Sequence, residues 1–132
     1  MKLYLDTSAL VKLVQQESES AVLRRYLRSH RDDVRVTSAL ARTELVRAVA
    51  AGGLEAIAHA RRLLARVNQV ALDRDVLDDA GTLAPGTALR SLDAIHLAAA
   101  RTVAPDLRAV VTYDARMAAA AAAISLPAVA PA

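Results

Sequence analysis

Four carboxylates occupy positions from which they can meet at one edge of a sheet. Asp6 ends the apolar, β-prone run Lys2 to Leu5, and Asp114 follows the run Ala109 to Thr112 by two residues. In an open parallel α/β sheet, loops and helix N-termini converge on a ligand at the carboxyl ends of the strands. Asp93 lies in the first turn of a helix expected from Ser91 to about Arg101, and Glu44 lies within one expected from Ser38 to about Ala51. Converging carboxylates repel one another unless a cation neutralises them. There is no Cys, and His30, His59 and His96 show neither HxxxH nor HxH spacing, so the donors are oxygens and suit a hard ion, Mg²⁺ or Mn²⁺. Such an ion keeps several waters, acidifies one for attack on a phosphodiester and stabilises the departing oxygen. Hydrolysis of nucleic acid is the chemistry this set points to.

Each acid also has a plainer use. Asp6 and Asp114 can cap the helices that follow them, and Asp93 can complement its helix dipole. On a helical wheel Glu44 falls opposite Leu45, Val46 and Val49 and beside Arg47, so periodicity alone makes it half of an exposed ion pair. His96, one turn after Asp93, can orient that acid or donate a proton, although a single helical His is more often structural. Asp73, Asp75, Asp78 and Asp79 read as the solvated start of a helix. None of the four glycines follows a strand as a phosphate cradle requires, which disfavours dinucleotide and Walker-type sites. Position 8 is Ser, where a phosphatase of the haloacid dehalogenase type would need its second Asp.

The elements that must position these groups alternate along the chain. Lys2 to Leu5 reads as a strand, Asp6-Thr7-Ser8 as a turn or cap, and Ala9 to Val14 as a helix. Ser18 or Ser20 can cap a second helix reaching about His30, and Val34 to Thr37 reads as the second strand. Gly52-Gly53 separates the Ser38 helix from one over Leu54 to Val67. Val70 to Leu72 is expected as a strand and Asp73 to Leu83 as a helix. After a Pro85-Gly86 loop comes the Ser91 helix, then the strand Ala109 to Thr112, the Ala-rich helix Ala115 to Ala123, and a weak edge strand over Pro127 to Ala130. Strands joined by helical crossovers pair in parallel, which makes the class α/β with helices on both faces of one sheet.

Composition bounds the rest. The 132 residues fit one domain, and 55% are hydrophobic, but the only aromatics are 3 Tyr, so the core falls to Leu, Val, Ile and 31 Ala. The absence of Cys excludes disulfide scaffolds, thiolate-ligated metals and thiol catalysis. Asp6 and Lys12 interrupt the N-terminal apolar run, so no export signal is expected, and the uncharged Met117 to Ala132 stretch is too short and Ala-rich to span a membrane. A cytoplasmic protein is expected. The net charge of +3 comes from 15 Arg and 2 Lys, which suits phosphate contacts as well as it suits a GC-rich genome.

Taken together, the residues resemble the PIN-domain family, and within it the VapC-type toxins of bacterial type II toxin–antitoxin pairs. The resemblance spans nearly the whole chain. It rests on Leu5-Asp6-Thr7-Ser8-Ala9-Leu10-Val11-Lys12, on Thr37-Ser38 leading to Thr43-Glu44-Leu45, on Arg90-Ser91-Leu92-Asp93-Ala94-Ile95-His96-Leu97-Ala98, and on Val111-Thr112-Tyr113-Asp114. It implies a three-layer α/β/α sandwich with a central parallel sheet of four to five strands and the first strand in the middle. It also implies an acidic pocket that binds Mg²⁺, with Mn²⁺ as a substitute. Asp6, Asp93 and Asp114 carry over as metal ligands, Glu44 as a ligand or the group positioning the attacking water, and Thr7, Ser8 and Thr112 as supporting hydrogen-bonders. The implied activity is that of an endoribonuclease acting on tRNA or rRNA, leaving 5′-phosphate and 3′-hydroxyl ends, held inactive by a VapB-type antitoxin and commonly homodimeric. Met117 stands where relatives often have Phe, a change of packing alone. Leu10, Leu13, Val14 and Leu54 are candidate antitoxin contacts, with core burial the competing use. The competing functions are a non-catalytic RNA- or protein-binding module of the same fold, and a nuclease with DNA in its groove.

Overall fold

A computed structural model describes residues 1–132. Five strands, β1 (Lys2–Leu5), β2 (Val34–Ser38), β3 (Asn68–Val70), β4 (Leu107–Val111) and β5 (Ala128–Val129), form one sheet in the order β3-β2-β1-β4-β5. Every neighbouring pair is parallel. Seven α-helices make the crossovers: α1 (Thr7–Val14), α2 (Ser20–Ser29), α3 (Ala41–Val49), α4 (Leu54–Leu64), α5 (Arg74–Thr82), α6 (Ser91–Arg101) and α7 (Ala115–Ala123). The expected three-layer sandwich is therefore present, with β1 at its centre.

Strand alternation divides the core in two. Leu3 and Leu5 of β1 and Ala109 and Val111 of β4 point to one face, where they meet Leu10, Leu23, Leu45 and Leu64 from α1 to α4. Tyr4 and Val110 point to the other face and pack with Val76, Leu97, Met117 and Ala120 from α5 to α7. Small Ala side chains let α6 and α7 lie close to the sheet, as the scarcity of aromatics requires. Leu10 and Leu13 are core residues of the first face and Val14 packs at its border, whereas Leu54 is 86% exposed.

Several boundaries differ from the sequence expectation for physical reasons. Ser38 does not open a helix: Ser38 pairs with Val70, and the Ala39 amide donates to the Val70 carbonyl at 2.9 Å, which prolongs β2 and delays α3 to Ala41. The third strand lies over Asn68–Val70 rather than Val70 to Leu72, because its position is set by the ladder to β2 and not by apolar side chains. Neither Ser18 nor Ser20 caps α2. Glu19 holds that place without a side-chain bond, and the Ser20 hydroxyl donates to the Lys12 and Gln15 carbonyls, tying α2 to the end of α1. Gly53, at φ 87°, makes the left-handed turn between a short 3₁₀ turn and α4 that a β-carbon would strain.

At the amino edge of the sheet, Asp33 receives the N-terminal ammonium at 3.3 Å and the Arg108 guanidinium, linking β1, β2 and β4. The hydrogen bond from Arg108 is the chief cause that holds the Asp33 carboxyl down at about 2. A carboxyl depressed in the folded state stabilises it above the unfolded value of 3.8, and that contribution is lost as pH falls toward 2. The stability difference between wild type and Asp33→Asn, measured by urea unfolding, is accordingly expected to be full above about pH 4 and to shrink toward zero near pH 2. A difference unchanged across that range contradicts the charge-based link.

Candidate active site

The end of β1 builds the site. Leu5 pairs with Val111, and the Asp6 amide donates to the Val111 carbonyl at 3.3 Å, so Asp6 lies beside Thr112 wherever the two central strands pair. Asp6 caps α1: its Oδ1 accepts the Ala9 amide at 3.0 Å and the Ser8 hydroxyl at 2.6 Å, and its Oδ2 accepts the Thr112 hydroxyl at 2.5 Å. The residue is 2% exposed and has no cationic partner. Burial pushes its pKa up, and the bonds from Ser8, Thr112 and Ala9 only partly offset that rise. The two uses open to Asp6 in the sequence are thus compatible: the cap orients it, and its charge remains unmatched.

The supporting hydroxyls also place the second acid. Thr112 Oγ1 accepts the Asp114 amide at 3.1 Å, and Ser8 Oγ accepts the Tyr113 amide at 2.9 Å, so the chain leaving β4 is fastened to the Asp6 turn. Asp114 then caps α7 through Oδ1, which accepts the Arg116 amide at 2.9 Å and the Met117 amide at 3.4 Å. Its Oδ2 makes no hydrogen bond to the protein and lies 4.0 Å from the Arg90 guanidinium.

Glu44 enters from α3. Leu45, fully buried, anchors that helix to the core, a burial that contributes about 1.5–3 kcal/mol and fixes which way the adjacent residue faces. Glu44 does not form the exposed pair with Arg47 that periodicity suggests. Its Oε1 accepts the Thr7 hydroxyl at 2.6 Å and lies 2.6 Å from Nε2 of His96. Burial acts to raise its pKa, but the hydrogen bonds from His96 and Thr7 outweigh it and hold the carboxyl below its usual value. His96 is 1% exposed, and its Nδ1 lies 2.7 Å from the Tyr4 hydroxyl. With Nε2–H donating to Glu44, Nδ1 is the acceptor and Tyr4 the donor, a chain Tyr4 to His96 to Glu44. His96 therefore orients Glu44 rather than Asp93. Its only sequence signal was a lone imidazole one turn from Asp93, since its partners are 52 and 92 positions away.

Asp93 stands in the first turn of α6, its side chain 15% exposed and 3.3 Å from Nε of Arg90. Glu44, Arg90, Ser91, Leu92 and Asp93 line an open cleft of about 340 Å³. A cavity of about 360 Å³ between α5 and α6, walled by residues such as Leu77, Leu83, Pro85 and Leu89, carries no titratable side chain and offers no comparable chemistry. No three acidic or imidazole groups stand as a ready-made ligand cage. The donor set still fits a hard divalent ion that touches one or two carboxylates and keeps much of its water, and the unmatched charge of buried Asp6 favours a cation there.

A family model for the PIN domain matches residues 3–123. The chain belongs to the PIN-domain family. Within that family it is 48% identical over 129 residues to ribonuclease VapC46 of Mycobacterium tuberculosis, covering 98% of this chain and 97% of the relative. Ribonuclease VapC35 of the same species is 46% identical over 132 residues, covering 98% and 96%. These matches place the PIN domain described above among the VapC proteins. The crystal structure of Mycobacterium tuberculosis VapC20, a sarcin-ricin loop cleaving toxin, superposes with a TM-score of 0.72 over 89% of this chain and 94% of that one, at 21% identity. The PIN fold is thus shared well beyond recognisable sequence similarity.

Burial disfavours the charged form of Asp6, so the carboxyl costs stability to the metal-free PIN domain, whereas Asn keeps the cap at the Ala9 amide and carries no charge. Asp6→Asn is expected to raise the Tm of the metal-free protein, and a further rise with Mg²⁺ or Mn²⁺ is expected of the wild type alone. A lower metal-free Tm in a scanning calorimeter contradicts this account of the site.

Proposed function

We propose that the chain is the toxin of a type II toxin–antitoxin pair, a metal-dependent endoribonuclease that hydrolyses phosphodiester bonds in RNA. The observation that carries the reading is the buried Asp6 carboxylate, without a cation, at the carboxyl edge of the sheet with Asp93, Asp114 and Glu44 around the same edge of a VapC-family fold. Asp6 and Asp93 are the metal ligands, and Asp114 joins them directly or through water. Glu44 is a further ligand or holds the attacking water, because Thr7 and His96 occupy Oε1 and leave Oε2 without a protein hydrogen bond on a residue that lines the cleft. Thr7, Ser8 and Thr112 keep these carboxylates in place.

The bound ion, Mg²⁺ or in its stead Mn²⁺, supplies Lewis-acid stabilisation of the phosphate and a more acidic water. The protein's part is to hold the acids at fixed positions before the substrate arrives, so that little reorganisation remains for the reaction. Water adds to phosphorus, the 3′-oxygen leaves with a proton, and the products carry 5′-phosphate and 3′-hydroxyl ends. The substrate class is tRNA or rRNA. A VapB-type antitoxin is the inhibitory partner, and the exposed Leu54 is the surface apolar residue best suited to meet it. The toxin works in the cytoplasm as a homodimer. No helix is long and apolar enough to cross a membrane.

Incubation of antitoxin-free protein with total RNA in Mg²⁺, Mn²⁺ or EDTA, followed by mapping of the new ends, tests the reading. Discrete cuts with 5′-phosphate ends are expected with either metal and none in EDTA, and Asp93→Ala is expected to cut at least about 100-fold more slowly. Cleavage at the wild-type rate by Asp93→Ala, or in EDTA, contradicts it, and a folded protein that cuts nothing points to a binding module.

A further inference from the structure

Arg90 is the one cation that reaches two of the site's acids. It immediately precedes α6 in extended backbone, φ −83° and ψ 161°, and makes no cap bond, so its side chain is not required to form the helix. Its Nε donates to Asp93 Oδ2 at 3.3 Å, and its NH2 group lies 4.0 Å from Asp114 Oδ2, so one guanidinium spans an acid on α6 and an acid beyond β4. The oxygen it faces on Asp114 is the one not used as a cap. Arg116, the other arginine near Asp114, approaches only the capping oxygen, also at 4.0 Å. Arg90 is 66% exposed, so both contacts are weak, screened by water and easily exchanged. It also lines the open cleft beside Glu44 and Asp93.

We propose that Arg90 is an exchangeable counter-cation: it bridges Asp93 and Asp114 in the metal-free protein, and on metal binding it turns out to grip the phosphate of the RNA being cut. This inference rests on the metal-dependent ribonuclease reading above. The two positions use the same chemistry. A guanidinium pairs in a fork with carboxylates and with phosphates alike, and an exposed side chain at the mouth of an acidic cleft needs only rotamer changes to pass from one to the other. Divalent ion and guanidinium compete for Asp93 and Asp114, so metal entry releases Arg90 where the polyanion must approach four carboxylates. In that position Arg90 offsets the repulsion between substrate and site.

The test compares full-length wild type, Arg90→Ala and Arg90→Lys, with Arg101→Ala as a control, since Arg101 pairs with Asp79 away from the site. Calorimetry without RNA reads Mn²⁺ affinity, and single-turnover cleavage at saturating Mn²⁺ over a range of salt reads the role in substrate binding and reaction. Arg90→Ala is expected to bind Mn²⁺ about fivefold more tightly, as befits loss of a weak competing ion pair. It is also expected to cleave at least about tenfold more slowly, with the salt dependence of RNA binding reduced by about one charge. Arg90→Lys keeps the salt dependence but recovers only part of the rate, because it lacks the fork. A wild type that cleaves normally beside an Arg90→Ala protein of unchanged or weaker Mn²⁺ affinity, or of unchanged cleavage rate, overturns the role of Arg90 alone. A wild type that cleaves nothing overturns the ribonuclease reading and this inference with it.

Discussion

A carboxylate that is almost out of water, accepts three hydrogen bonds and has no cation beside it is costly to keep ionised. Asp6 is that group, and much of the structure around it serves to hold it. The parallel ladder between β1 and β4 brings Thr112 to its Oδ2, the first turn of α1 brings the Ala9 amide to its Oδ1, and Ser8 both donates to it and fastens the chain after β4. In the proposed function, a divalent ion would supply the missing positive charge and turn a destabilising feature into a binding site.

The remaining acids are fixed by different devices, which makes the site a product of topology rather than of one segment. Asp114 is held by its own cap geometry and by Thr112, Asp93 by its place in the first turn of α6, and Glu44 by the buried relay from Tyr4 through His96. Tyr4 lies on the opposite sheet face from Leu3 and Leu5, so the relay reaches the site from beneath, between β1 and α6. Elements packed on both core faces therefore contribute to one pocket.

Which of this was legible in the sequence follows from the range of the interactions. Asp6 and Asp114 are local signals, each a cap directly after an apolar strand, and Ser91 to Arg101 and Ala115 to Ala123 are helices whose own residues define their limits. Glu44 was invisible to periodicity, because a helical wheel recognises the apolar face that α3 buries and treats everything opposite as solvent. That opposite face meets Thr7 and His96, polar partners 37 and 52 residues away. His96 was masked for the same reason. The shifts of β3 and of the α3 start likewise come from the β2–β3 ladder, whose backbone bonds leave no trace in side-chain pattern. The family resemblance supplied Glu44 where pattern could not, since a motif carries long-range geometry in its spacing.

Anomalous diffraction from crystals grown with Mn²⁺ would show whether the strand-end carboxylates around Asp6 form a divalent-cation site. A manganese peak about 2.0–2.3 Å from a carboxylate oxygen of Asp6 or Asp93, with water completing its shell, is the result this account requires. Manganese bound elsewhere on the protein, with the Asp6 pocket empty at saturating metal, would contradict it.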